Sequence, residues 1–364
     1  MKSRLRTIFL FLMLLSPIVV HAATIEQDSV GKNPIEEIIS ERVVKRLKRF
    51  NEIDSLYIEP QKYNFTFMLQ NTNTYESYTI SNENGTSVKF SPDISFRLGP
   101  YFGWRWIFLG YTIDFSHLGS DKKNQTFDIS IYSNKVGVDF YYRKTGNDYK
   151  IRRMKFNDEE IDDIEDIDFS GIHSSVKGFD LYYIFNHRKF SYPAAYSQST
   201  IQRRSCGSPL VGIGYTRHKL EIDLTQLQEV VGREVGEEYA ESFADSTFIA
   251  ERISYSDISF SGGYAYNWVF ARNWLFNATL SLAFGYKRTH GEREKERFSL
   301  RDFSIHNFNL EGVTRFGIVW NNSKYFAGAS AIFHTYNYKK NRFATNNTFG
   351  YINIYAGFNF NKRK

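Results

Sequence analysis

Trp274-Leu275-Phe276-Asn277-Ala278-Thr279-Leu280-Ser281-Leu282-Ala283-Phe284-Gly285-Tyr286 alternates at every step. Trp274, Phe276, Ala278, Leu280, Leu282, Phe284 and Tyr286 give one unbroken apolar face with rings at both rims. Leu275, Asn277, Thr279, Ser281, Ala283 and Gly285 give a small or polar one. A strand rises ~3.3 Å per residue, so thirteen residues tilted by ~45° span a little under 30 Å, about one hydrocarbon core. A soluble sandwich strand turns its apolar face inward and rarely keeps it unbroken for so long. The pattern predicts a face that meets lipid, and with it an outer-membrane β-barrel.

The N-terminus is consistent with that destination. Lys2, Arg4 and Arg6 form a basic n-region, Ile8 to Leu15 an apolar h-region, and Val20-His21-Ala22 a small-residue cleavage site. The expected signal peptide is 1–22, and the lack of a nearby cysteine argues against a lipoprotein anchor. Cys206 is the single cysteine, so no intramolecular disulfide is possible. Aromatics are 17 % of residues, with 33 Phe and 25 Tyr, in a chain that is hydrophilic on average. Strands that are half lipid-facing and half water-facing produce that combination. The net charge of +6 falls to about +3 without the three basic signal residues, too near neutral to favour nucleic acid.

Residues 23–62 read as an N-terminal extension with a short amphipathic helix. Asn33-Pro34 opens it, Glu36 and Glu37 sit in its first turn, and Arg46, Lys48 and Arg49 near its end, matching the helix dipole. From Tyr63 to Lys364 the chain reads as barrel. The runs around Phe65–Leu69, Ile107–Phe115, Val136–Tyr142, Phe179–Phe185, Phe260–Phe270, Phe308–Trp320 and Ile352–Phe360 all alternate. Such runs number ten to fourteen, and an up-and-down antiparallel barrel of twelve strands is expected. Phe270-Ala271-Arg272-Asn273-Trp274 reads as a tight hairpin. Asn157–Gly171, Thr225–Asp245 and Gly291–Arg301 are long and charged; by this asymmetry they lie outside the cell.

Two stretches, Tyr57-Ile58-Glu59-Pro60-Gln61-Lys62-Tyr63-Asn64 and Leu98-Gly99-Pro100-Tyr101-Phe102-Gly103-Trp104-Arg105-Trp106, resemble an uncharacterised domain-of-unknown-function family of Bacteroidetes secreted or outer-membrane proteins. The resemblance implies a Gram-negative source and a cell outer-membrane location. It brings no activity and no catalytic residues.

Candidate chemistry is sparse. The histidines show no metal-ligand spacing, and no metal or cofactor is expected. The acidic run 158–168 lacks the glycine of an EF-hand loop and alternates with Ile161, Ile164 and Ile167, so it reads as a solvated loop. Asp114, Asp139 and Asp180 fall on the polar faces of their strands and are the lumen-lining candidates. Arg97, Arg105 and Lys135 are further charges in or beside strands, and Arg105 shares parity with apolar Ile107 and Leu109. A lipid-facing Lys or Arg near the midplane costs ~2–4 kcal/mol, so such charges belong to the lumen, an interface or a paired network. Three functional classes stay open: a small-solute pore or structural envelope protein; a lipid-modifying enzyme with groups such as His117 or His290; and a soluble secreted β-rich binding protein. Expected partners are outer-membrane lipid, lipopolysaccharide and, through the aromatic-rich final strand, the barrel-assembly machinery. No nucleic-acid partner is expected, and oligomeric state is left open.

Overall fold

The computed structural model describes residues 52–363 apart from 83, 105–106, 111–112, 115–124, 147, 162–163, 165, 245–251, 290–307 and 341–342. The expected signal peptide and extension helix, Arg105, His117 and His290 lie outside these residues. The described chain is mostly strand: β1 (Ile58–Pro60), β2 (Tyr63–Asn82), β3 (Ser87–Pro92), β4 (Ser95–Trp104), β5 (Ile107–Gly110), β6 (Ile113–Asp114), β7 (Gln125–Tyr132), β8 (Val136–Gly146), β9 (Tyr149–Phe156), β10 (Glu159–Glu160), β11 (Ile167–Phe169), β12 (Ile172–Ile184), β13 (Thr200–Gln202), β14 (Cys206–Ile222), β15 (Arg252–Ala271), β16 (Trp274–Thr289), β17 (Phe308–Asn321), β18 (Tyr325–Lys340) and β19 (Phe343–Lys362). Three helices join them: α1 (Pro193–Tyr196), α2 (Leu224–Glu234) and α3 (Glu237–Ala244).

One large antiparallel sheet carries the fold. Its described pairings run β7-β8-β12-β14-β15-β16-β17-β18-β19-β2-β4, and β4 pairs in turn with β5 and β6. The strands joined by the short turns at 133–135, 272–273 and 322–324 are neighbours in it. Ala271 and Trp274 face each other across Arg272-Asn273, and Asn273 takes a left-handed φ of 65°, which asparagine tolerates better than most residues. The sheet curls strongly, since side chains of β8 meet those of β17, β18, β19 and β2 on its concave side.

The polarity of this fold is inverted. Ile258, Phe260, Leu280 and Phe284 on the convex side are 56–64 % exposed. On the concave side Asp257, Asn267, Asn277, Lys287, Glu311 and Arg315 are buried. Period-two alternation sends each residue type to its own face. A one-residue slip of register would reverse every one of them.

The two ends of the sheet differ. At one, the turns at 133–135, 272–273 and 322–324 are short. The connection from β12 to β14 is the exception there. It folds under the sheet, pairs β13 with β1, and buries Phe190, Tyr192, Ala194 and Ala195. At the other end β9 pairs with β3, β10 and β11, and α2 lies over them. Asp223 caps α2 by accepting a hydrogen bond from the Gln226 amide at 3.0 Å. Leu227, Val230 and Val231, spaced i, i+3, i+4, then face a core of Ile80, Phe90, Tyr149, Ile151 and Phe169. Ile161, Ile164 and Ile167 pack on the same core. These isoleucines are therefore one edge of a packed cap, and the run is not the solvated loop expected. Arg152 pairs with Asp166 and Asp93, and Arg153 with Glu160.

Candidate functional site

The concave side holds a filled polar interior of three levels. Nearest the short turns is the β12–β14 connection, acting as a plug. Its one-turn helix α1 starts at Pro193, whose fixed φ suits a first helical position. The side chains around it replace bonds that bulk water would otherwise make with the sheet wall. Tyr196 donates to Asn277 Oδ1 at 2.6 Å, and the Tyr192 hydroxyl bonds Thr279 Oγ1 at 2.9 Å. Gln198 donates to the Tyr355 hydroxyl at 3.0 Å and accepts from Asn321 at 3.1 Å. Asn267 donates to Ser191 O at 2.9 Å and Gln202 Oε1 at 3.0 Å. Tyr132 stacks on Tyr192 and Tyr196, with centroids 6.0 and 5.4 Å away. Buried amides with both functions engaged fix a single arrangement.

Outside the plug, Glu59 of β1 binds Arg203 and lies 2.6 Å from Lys62 Nζ. Burial pushes its carboxyl up, but hydrogen bonds from Lys62 and Arg203 outweigh this and hold it below the ordinary 4.5. A carboxylate with a lowered folded pKa stabilises the fold above the unfolded value, and that contribution is lost as pH falls through the folded one. The pair is partly exposed, so the effect is modest, about 1 kcal/mol or less. Hydrogen exchange in the β1–β13 ladder, corrected for intrinsic rates, is expected to quicken below about pH 4.5. Glu59→Gln is expected to remove that dependence.

The middle level carries the charges. Asp139 of β8 and Arg315 of β17 pair at 2.5 Å, both buried, and the guanidinium lies 4.9 Å from the centre of the Tyr182 ring. Asp180 Oδ2 of β12 faces His334 Nδ1 of β18 at 3.8 Å. Lys287 of β16 lies 3.3 Å from Glu311 of β17 and 5.1 Å from the centre of the Tyr255 ring. Asp257, fully buried, projects toward Gly285 on the neighbouring strand. A Cβ there would come within 2.5 Å of the carboxylate, so glycine makes its room. A cavity of about 30 Å³ lies among Asp180, Glu311, Arg315, Tyr182 and Tyr336. That is room for about two waters.

The third level meets the cap. Tyr141 bonds Tyr336 at 2.7 Å and Thr216 at 2.6 Å. Arg143 reaches Gly350 O at 3.4 Å over the Phe349 ring. Glu76 accepts from Thr145, Tyr149 and Ser174 at 2.8–3.0 Å.

Of the lumen candidates, Asp139 and Asp180 stand in this interior on neighbouring strands, directly opposite in register. Asp114 is placed only by its backbone, opposite Arg97. Lys135 sits in a turn, its ammonium 5.8 Å from the centre of the Tyr183 ring. Sequence reading missed Arg315, Lys287, Glu311, His334 and the plug. Among the described residues no group of three or more His, Cys, Asp or Glu is arranged to hold a metal ion.

Residues 52–360 match the model of a family described as a domain of unknown function, DUF4421. The chain belongs to that family. No curated protein matches it. Solved structures similar to this DUF4421 chain include the outer-membrane protease OmpT of Escherichia coli, at 7 % identity and a TM-score of 0.32, over 83 % of this chain and 98 % of that one. The translocator domain of the autotransporter NalP of Neisseria meningitidis is another, at 9 % and 0.29, over 89 % and 96 %. OprG of Pseudomonas aeruginosa is a third, at 10 % and 0.24, over 83 % and 98 %.

Proposed function

We propose that this protein is an outer-membrane β-barrel that serves as a sealed, structural element of the envelope and not as an open pore. β5 and β6 count as one interrupted strand, so the sheet has twelve, and closure follows from pairing that strand with β7. The convex apolar band supports the membrane reading. On β16 it runs from Trp274 to Tyr286, the length of one tilted crossing. A soluble protein would leave these faces in water, and contiguous apolar surface on that scale is not tolerated there. The long, charged segments are placed outside the cell. The final strand, with Phe358 and Phe360 outward, is the segment offered to the assembly machinery.

The filled interior carries the reading of a closed barrel. Plug, charged layer and cap succeed one another along the axis, and a cavity among the described charges admits about two waters. The enzyme alternative rested on His117 and His290; the histidine–carboxylate pair that is described, His334 and Asp180, lies inside the wall. Folded protein, recognised by heat-modifiable mobility, is expected to give no steady current in planar bilayers. A reproducible unit conductance from such protein would contradict the sealed barrel.

A further inference from the structure

The short-turn end of the sheet is unevenly charged. Its described segments are 52–63, 133–135, 184–208, 271–274, 321–325 and 360–363. They expose nine lysines and arginines, on turns, strand ends and the outer side of the plug, against three carboxylates, Glu52, Asp54 and Glu59. Glu59 binds Arg203 and Lys62, and Asp54 Oδ1 accepts from the Leu56 amide at 3.0 Å. Residues 23–51, which precede this end in sequence, hold six Lys or Arg and five Asp or Glu, so they do not supply the missing negative charge.

Contacts between the segments join these cations into one surface. The buried Gln202 amide reaches the carbonyls of Lys189, Arg204 and Tyr57 at 2.6, 3.0 and 3.3 Å. Lys189 Nζ then lies 5.0 Å, and the Arg204 guanidinium 5.8 Å, from the centre of the Tyr57 ring. Arg203, next in the chain, donates to Asn273 Oδ1 at 3.1 Å, beside Arg272. Gln61 Oε1, beside Lys62, accepts from Ser323, beside Lys324, at 3.4 Å. The Arg363 amide bonds the Lys62 carbonyl at 2.8 Å. Like charges held together in this way raise the potential over the whole end and draw anions to it.

The layout selects the kind of anion. Lys189, Arg203 and Arg204 belong to the plug, inside the wall, whereas lipid meets the wall's convex side, so headgroups are not what these three face. Leu56, 60 % exposed, is the one large apolar side chain presented by the described plug and its β1 neighbour. A protein interface centres on apolar side chains and keeps its lysines to the rim. An open surface of cations suits a polymer with many anionic groups, each held weakly and all together firmly. In the envelope reading this end faces the periplasm, whose polymer is the cell wall, a glycan bearing short peptides with free carboxylates. We infer that the plug end of this protein binds that wall through its peptide carboxylates. They pair with Lys189 and Arg204 beside Tyr57, and with Arg272 and Lys324 on the flanking turns. The inference rests on the reading of a structural envelope element with its long segments outside the cell.

The test is co-sedimentation of the full chain, folded in neutral phosphatidylcholine nanodiscs, with purified peptidoglycan sacculi. Wild type is expected to sediment with them at about 20 mM salt and to be released at about 0.5 M, where exposed charges are screened. It is expected to ignore sacculi whose carboxylates have been amidated. An exposed ion pair contributes up to about fivefold, so Lys189→Gln/Arg204→Gln/Lys324→Gln is expected to bind roughly tenfold more weakly. Lys324→Gln alone weakens binding about twofold if the triple variant does not fold, and Lys219→Gln, at the cap end, leaves it unchanged. Unchanged binding by folded Lys324→Gln and triple variants overturns the site. Amidated sacculi, or phosphatidylglycerol vesicles, bound as tightly as native sacculi overturn the assigned partner. Folded protein that gives no current and still ignores native sacculi overturns this inference and leaves the sealed barrel standing; a conducting protein overturns that reading instead.

Discussion

Arg315→Met is expected to cost the protein about 3–5 kcal/mol, the price of leaving one member of a buried ion pair alone. Arg315 and Asp139 are 2 % and 4 % exposed, and their contact is 2.5 Å long. The substitution keeps the stem that packs beside Tyr182 and removes the guanidinium, so Asp139 is stranded between β8 and β12 with Asp180 beside it. Adding Asp139→Leu is expected to restore most of the loss, because two well-packed apolar groups do not carry the desolvation penalty of one charge. Urea unfolding from lipid vesicles, followed by tryptophan fluorescence, measures both. A single-variant loss under about 1 kcal/mol would mean that water screens the pair and that the interior is open.

The faces of the strands were legible because one period decides them. From Trp274 to Tyr286 every second side chain is apolar, and the structure puts that set on the convex side. The same parity sends Asp139 and Asp180 inward. Arg315 obeys it too, between outward Thr314 and Phe316, yet its partner is not readable from periodicity. Asp139 lies 176 residues away, and the two meet because four strands separate them round a curled sheet, a matter of strand order and curvature. The plug left a fainter trace. The connection over 185–205 is some twenty residues long at an end where the other turns are short, and length of that kind marks a segment with a structure of its own. Its Tyr192, Gln198 and Gln202 look like loop polarity until the sheet supplies Thr279, Tyr355 and Asn267 to meet them. The acidic run misled for a related reason. Ile161, Ile164 and Ile167 belong to a cap core assembled from β3, β9, β11 and α2, and no local window contains those partners.

Leu280 lies midway between Trp274 and Tyr286 on β16 and is 56 % exposed on the convex face. In a water-soluble protein, arginine at so exposed a position would change stability by about 0.5 kcal/mol or less. At the middle of a bilayer the same substitution costs ~2–4 kcal/mol, falling toward ~0–1 near the interfaces. The account therefore predicts a depth profile along one strand. Leu280→Arg is strongly destabilising, and Tyr286→Arg, at the rim, is much less so. The decisive measurement is the unfolding free energy of these two variants in phosphatidylcholine vesicles. A loss of ~2–4 kcal/mol for Leu280→Arg, well above that for Tyr286→Arg, is the predicted result. Equal and negligible losses at both positions would contradict a lipid-facing sheet.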